Sequence, residues 1–375
     1  MSMRLVAALL AVVLSCAASS VQAQNLVRFP AKGQIPAGYP PEYAAIIAAA
    51  EQEKTVVIYS NTDIDVAQIL IDDFQSLYPK IGVEYHDMSG NDLNNRFLTE
   101  ALIGRLTADI VWSSAMDLQF NLVNSGFAQA YASPEIPALP AWAVWKNEAF
   151  GTTYEPAGFV YNKRLLPTNE VPQTRAELTR LLQAQAGRFS RKLVTYNAEK
   201  SEIGYLLALQ DAAQSDAFWD LASAIGKVDP QFEVTSNDML RSIATGNATI
   251  GYNTLSSYAF RMSRTDAAIG YIFPKDYTLV LSRIMFIGKN AANPNAARLW
   301  VDYILSKRGQ SVIAGPAALF SLRSDVEGEA TAAGLRKLLG DGLKPIQIGP
   351  NLLEGLERGT REQFLQRWRQ TAAGR

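Results

Sequence analysis

Residues 54–77, KTVVIYSNTDIDVAQILIDDFQSL, change hydrophobic period within one short stretch. Lys54 to Tyr59 form an apolar, β-branched run of the kind found in strands buried on both faces. Ser60-Asn61-Thr62-Asp63 interrupts the run with residues that favour turns and helix caps. Val66, Ile69, Leu70, Phe74 and Leu77 then recur at the spacing of one helix face, and Pro79 closes the segment. The stretch reads as strand, polar turn, helix.

The unit recurs along the chain. Gly82 to Met88, Ser89-Gly90-Asn91-Asp92 and a helix through Phe97 and Leu102 form the second copy, and Asp109 to Trp112, Ser113-Ser114 and Leu118 to Ser125 the third. The second half supplies Lys192 to Tyr196 before a helix from Glu202 to Ala213, Phe232 to Val234 before Asp238 to Thr245, and Ala248 to Tyr252 before a helix through Phe260 and Met262. Strands and helices alternating at this spacing predict mostly parallel α/β sheets flanked by helices. The length exceeds what one hydrophobic core usually supports, so two sheets in two lobes are expected.

In open α/β sheets, ligands bind outside the carboxyl ends of the strands, where helix N-termini offer free N–H groups and partial positive charge. Ser60, Asn61, Thr62, Ser113, Ser114, Ser201, Ser236, Asn237, Asn253, Ser256 and Ser257 fall at that edge. Helix capping accounts for any one of them taken singly. Their convergence in one cleft is what would make a site, and neutral hydroxyls with backbone N–H groups suit a phosphate or carboxylate better than a metal.

The first residues read as a secretory signal. Arg4 precedes an apolar run from Leu5 to Leu14, too short to span a bilayer, and Val21-Gln22-Ala23 offers a cleavage point before Gln24. Cys16 in Val13-Leu14-Ser15-Cys16 loosely resembles a lipidation site. It is the only cysteine, so cleavage would leave an exported chain with no internal disulfide. A net charge of −1 without a basic stripe argues against nucleic-acid binding, and no run beyond residue 24 is apolar for long enough to cross a membrane. Neither a coiled coil nor a repeat asks for an oligomer, so a monomer is expected.

Two β-type stretches, Ala149 to Lys163 and Tyr277 to Gly288, are placed to link the lobes. If both cross, residues 24–155 and 278–375 form the first lobe, 156–277 the second, and the crossings a two-strand hinge that permits closure around a ligand. The C-terminal stripe of Phe364, Leu365 and Trp368 is then expected to pack on the first lobe.

Four segments carry a family resemblance: residues 56–63, Ala108-Asp109-Ile110-Val111-Trp112, Gly158-Phe159-Val160-Tyr161-Asn162-Lys163, and residues 295–310. Together and in this order they resemble the extracellular solute-binding proteins of ABC importers, in the group that holds ferric-ion binding proteins and receptors for phosphorylated metabolites. The resemblance implies two lobes joined by two strands, a ligand in the cleft and release to a membrane permease. Iron-binding members usually carry a tandem tyrosine after the strand that here ends near Asn253, often with a histidine after the first strand. This chain has Ser256-Ser257-Tyr258, so only Tyr258 matches, and Ser60-Asn61-Thr62 stands where the histidine would be. Ferric iron wants several hard anionic ligands, which ranks iron second to an oxyanion. Ser60, Asn61 and Thr62 are the leading ligand contacts, with Ser113, Ser114, Ser257 and Tyr258 next.

Other residues are weighed against this frame. His86 is the sole histidine and reads as a hydrogen-bonded group at a strand edge. Arg261 lies one turn beyond Tyr258 and could add a charge or stay solvated, while Lys163 and Arg164 read as solvated. No Gly-x-Ser-x-Gly elbow, His-Glu-x-x-His helix, Ser-x-x-Lys pair, dinucleotide loop or Walker-type loop occurs, so neither an enzyme nor a cofactor is expected. A receptor reporting to a membrane sensor would use the same fold as one feeding a permease.

Overall fold

The computed structural model describes residues 34–105 and 107–372. The signal-like segment 1–23, with Cys16 and the expected cleavage point, lies outside the described residues. In the first part of the chain, α1 (Tyr43–Glu53) leads into β1 (Thr55–Ser60), α2 (Ile64–Leu77), β2 (Gly82–Asp87), α3 (Gly90–Leu102), β3 (Ile110–Ser113) and α4 (Met116–Leu122). The three expected units of this half are therefore present. Short strands β4 (Ala128–Gln129), β5 (Val144–Trp145) and β6 (Ala149–Gly151) follow.

The middle of the chain contains β7 (Glu155–Asn162), α5 (Arg175–Ala184), α6 (Ala186–Phe189), β8 (Leu193–Tyr196), α7 (Glu202–Gln214), α8 (Phe218–Gly226), β9 (Gln231–Glu233), α9 (Ser236–Ala244), β10 (Ile250–Leu255), α10 (Ser256–Ser263) and β11 (Ile269–Ile272). The chain ends with β12 (Thr278–Leu281), β13 (Ile284–Gly288), α11 (Pro294–Leu305), α12 (Lys307–Ala314), α13 (Ala332–Leu339), β14 (Leu343–Pro345) and α14 (Arg358–Thr371).

These elements build two sheets flanked by helices, the two-lobed periplasmic-binding-protein architecture. The first sheet has the order β2-β1-β3-β13-β6-β5 with β4 beside β13, and the second β14-β12-β7-β10-β8-β9 with β11 beside β7. β1 runs parallel to β2 and β3, and β8 parallel to β9 and β10. β13 is antiparallel to β3, and β7 to β10 and β12, so both sheets are mixed where repetition of the unit predicted mostly parallel ones. The cause is the crossing strands, which enter each sheet from the opposite end to the local units. Along β1, Ile58 packs with Leu70, Phe74 and Trp300 in one core, while its neighbour Tyr59 joins Leu93, Phe97 and Phe120 in another, as the two-residue period of a doubly covered strand requires.

The chain leaves the first sheet after Gly151 and enters the second at Glu155. It returns between Leu281 and Ile284, so both long β stretches do join the lobes, but the return falls at 282–283 and not near 277. The C-terminal assignment to the first lobe is corrected. Thr278 in β12 pairs with Leu343 in β14 inside the second sheet, whereas β13, α11 and α12 complete the core of the first lobe and Ile348 and Leu352 pack beside Phe120 and Trp145. The stripe on α14 is core-facing as expected, but it meets the second lobe: Phe364, Leu365 and Trp368 pack with Tyr205 of α7 and Phe218 of α8, and the Phe218 and Trp368 rings stack at 6.1 Å. Those helices present a matching aromatic face, which the spacing of residues 358–371 could not reveal. No helix among the described residues is long and apolar enough to cross a membrane.

Candidate functional site

The carboxyl ends of both sheets face one another across a cavity of about 230 Å³. Asn61, Asp63, Asp87, Ser89, Gly90 and Ser114 line it from the first lobe; Ser201, Glu202, Thr235, Ser236, Asn237 and Tyr258 line it from the second, with Arg283 from the return crossing. Cap or first-turn residues of α2, α3, α7, α9 and α10 are among these, so the polar turns do collect helix N-termini in one cleft.

Of the residues expected there, Asn61, Ser114, Ser201, Ser236, Asn237 and Tyr258 reach the cavity wall. Asn61 Nδ2 donates to Ser114 Oγ at 2.9 Å and its Oδ1 accepts from the Ser114 N–H at 3.0 Å, which locks the ends of β1 and β3 together. Ser201 caps α7 by accepting from the Gly204 N–H at 3.2 Å and donates to the Val234 carbonyl at 2.8 Å. Ser236 Oγ is bonded to the Tyr196 hydroxyl.

The other expected residues sit behind the wall. Ser60 Oγ accepts from the Thr62 N–H at 3.0 Å and Ser113 Oγ from the Ala115 N–H at 3.1 Å, so both are buried turn and cap groups. Thr62 Oγ1 accepts from Arg283 Nη1 at 2.9 Å and Ser257 Oγ donates to Glu155 at 2.6 Å, which puts both in the crossing and not at a ligand surface. Ser256 is buried against β7, close to Gly158. Asn253 turns away altogether. A bulge in β10 between Gly251 and Thr254 puts Asn253 at φ +59°, and its Nδ2 donates to Asp211 at 2.5 Å. Asp211 is buried and also takes the hydroxyls of Tyr252 and Tyr277 and an ion pair from Arg175, so Asn253 serves the core of the second lobe.

His86 bonds Glu84 at 2.8 Å at the edge of its strand, Arg261 pairs with Asp65 at 2.6 Å, and Lys163 and Arg164 are exposed.

Sequence reasoning missed the charged members. Arg283 lies in the return crossing with a side chain 1% exposed. Its Nε donates to Glu155 Oε1 at 2.8 Å, one Nη to Thr62 and the other to Glu155 and to the Tyr258 hydroxyl at 3.2 Å. Burial opposes its charge, but the Glu155 carboxylate and the Tyr258 hydroxyl together outweigh burial and keep the guanidinium protonated. Burial, with Asp63 and Glu155 nearby, raises Tyr258 far above the usual tyrosine range although Arg283 opposes this. A single arginine inside the apolar run 277–288 was the available signal. Asp87, which accepts from the Ile64 N–H at 3.0 Å, and Glu202, which accepts from the Gly90 N–H at 2.8 Å, are both pushed upward chiefly by burial. Their carboxylates make the wall less electropositive than the neutral turn residues suggested.

A larger groove of about 1070 Å³, lined by Phe260, Tyr271, Phe273, Phe320 and Leu338 among others, shares no residue with this cleft. Its walls are mainly aromatic and aliphatic.

The sequence profile described as "Bacterial extracellular solute-binding protein" matches residues 59–311, which span both sheets and the cleft between them. The chain belongs to that family. This solute-binding protein is accordingly a substrate-binding component of an ABC transporter. It is similar over 85% of its length to a substrate binding protein of an ABC transporter from Agrobacterium tumefaciens, with 35% identity, a TM-score of 0.81 and 94% of that chain covered. The fold is also that of AfuA from Actinobacillus pleuropneumoniae, solved with fructose-6-phosphate, at 18% identity and TM-score 0.69 over 85% of this chain and 99% of that one. Iron-bound HitA from Pseudomonas aeruginosa shares it at 14% identity and TM-score 0.64, over 84% and 99%. No curated protein sequence matches the solute-binding protein.

Proposed function

We propose that this protein, exported to the periplasm with its signal removed after Ala23, captures a small solute bearing an oxyanionic group and delivers it to an ABC permease. The observation that carries the ligand class is the meeting of helix N-termini from both lobes at one cavity whose neutral donors include Asn61, Ser114 and Asn237. Such termini favour a phosphate or carboxylate through free N–H groups and the helix dipole. The carboxylates of Asp63, Asp87 and Glu202 can only accept hydrogen bonds when ionised, so the rest of the solute is proposed to carry donors such as hydroxyls. Arg283 beside the Tyr258 hydroxyl disfavours ferric iron, because a fixed cation would repel the metal from its one tyrosine ligand. Stripping bound solute by unfolding, refolding, and screening by thermal shift against sugar phosphates, glycerol phosphates, hydroxy acids and ferric citrate tests the reading. A midpoint raised only by ferric citrate would replace it with iron binding.

A further inference from the structure

We infer that Glu202 is the residue that draws the lobes together: its carboxylate seats on the N-terminus of α3 across the cleft and closes the protein without any solute. Glu202 opens α7 in the second lobe. Its Oε1 accepts from the Gly90 N–H at 2.8 Å and its Oε2 from Asn91 Nδ2 at 3.3 Å, both in the first lobe. Ser89 already serves the Asp92 N–H at 3.1 Å, so the Gly90 N–H is a terminal donor of α3 left for an outside acceptor, and the helix dipole favours an anion there. Within α7 Ser201 caps the Gly204 N–H, and the Glu202 carboxylate, which also accepts from its own backbone N–H, reaches across to Gly90.

The fit is built for this contact. The three atoms nearest to a Cβ placed on Gly90 all belong to Glu202, with Cδ at 3.0 Å, Cγ at 3.1 Å and Oε1 nearer still. Gly90 is not among the glycines with positive φ, so its missing side chain is explained by the space Glu202 takes and not by backbone strain. Two more contacts join helices of opposite lobes: Arg261 of α10 to Asp65 of α2 at 2.6 Å, and Asn237 of α9 to Asp63 at 3.3 Å. These flank the cavity at points other than the crossings at 152–154 and 282–283. A solute that binds only the closed form has its apparent dissociation constant equal to the intrinsic one divided by the closed fraction, so a latch that raises that fraction strengthens capture of whatever solute the cleft accepts. The existence of the latch does not rest on the proposed ligand class; only its effect on affinity rests on the solute-capture reading.

The test uses the chain from Gln24, which has no native cysteine, freed of solute by unfolding and refolding. Spin labels at Thr99→Cys on α3 and Asp216→Cys beyond α7, both exposed positions, report the distance between lobes by double electron–electron resonance. The expected result is a dominant short distance in this background, a closed-to-open ratio about tenfold lower in Glu202→Ala, and most of the ratio kept in Glu202→Gln, whose amide oxygen still accepts from Gly90. Gly90→Ala should open the protein as Glu202→Ala does, and the double variant no further, because each removes the same contact. An unchanged ratio in Glu202→Ala, or effects that multiply in the double variant, would overturn the inference. Circular dichroism confirms that each variant is folded. Since no solute is added, failure of the solute screen leaves this measurement intact, and the reverse also holds.

Discussion

Replacing Arg283 by methionine is expected to lower stability by about 3–5 kcal/mol, the cost of removing one partner from a buried ion pair. Glu155 is 0% exposed and Arg283 1%, so water cannot take over the lost contact. In the variant Glu155 would keep only the hydroxyls of Thr153 and Ser257, while Thr62 and Tyr258 would each lose a donor. For a chain of about 350 residues the entropy of unfolding is near 0.7 kcal/mol/K, which converts this loss to a fall in Tm of about 4–7 °C. Scanning calorimetry of solute-free protein reads it directly. The same reasoning makes Glu155→Gln costly, because it leaves a buried cation. The double variant Glu155→Met with Arg283→Met should be less destabilised than the sum of the singles by about 2 kcal/mol or more, since it buries no unpaired charge. A fall below about 1 °C in Arg283→Met, or additive singles, would refute the claim that this pair holds the two crossing segments together.

Other substitutions probe separate parts of the molecule. Asn61→Ala removes both bonds to Ser114 and should cut the thermal shift produced by a bound solute at least in half while lowering the solute-free midpoint only slightly; an unchanged shift would remove Asn61 from the site. Gly158→Ala should destabilise by about 1–3 kcal/mol in urea titrations, because a Cβ there would press on the Ile272 carbonyl oxygen and lie 2.7 Å from Ser256 Oγ. Asp302, buried and held by the hydroxyls of Tyr43, Tyr131 and Ser133, is pushed by burial from 3.8 up to about 6. The folded carboxyl thus binds its proton more tightly than the unfolded one, so its contribution is full below about pH 4 and is lost as pH rises through about 6. Two units correspond to about 3 kcal/mol, and the stability difference between wild type and Asp302→Asn should fall by that order between pH 4 and 7. A difference independent of pH would show that Asp302 keeps its charge in the fold.

The strand–turn–helix units, the lobe count and the two crossings were legible in the sequence because they rest on local signals. Apolar runs, i to i+4 stripes and cap residues act within a few positions, and 54–77 contains all three. Asn61 and Ser114 were reachable by the same logic, as residues at strand ends in an α/β sheet. The pairs Glu155 with Arg283 and Gly90 with Glu202 join residues 128 and 112 positions apart, and no local pattern encodes which buried charge meets which. Asn253 carried the right residue type at the right strand end, yet a single bulge turned it into the core of the second lobe. Likewise β14 is three residues long, too short for any period, and α14 has a readable stripe but no label for the surface it covers. The sequence by itself determined which segments become strands and helices and that their polar turns share an edge, since short-range sterics and burial decide those. Only the tertiary structure decided which turn residues face the cleft, which charges line it and which lobe receives the C-terminus, because these depend on how distant surfaces dock.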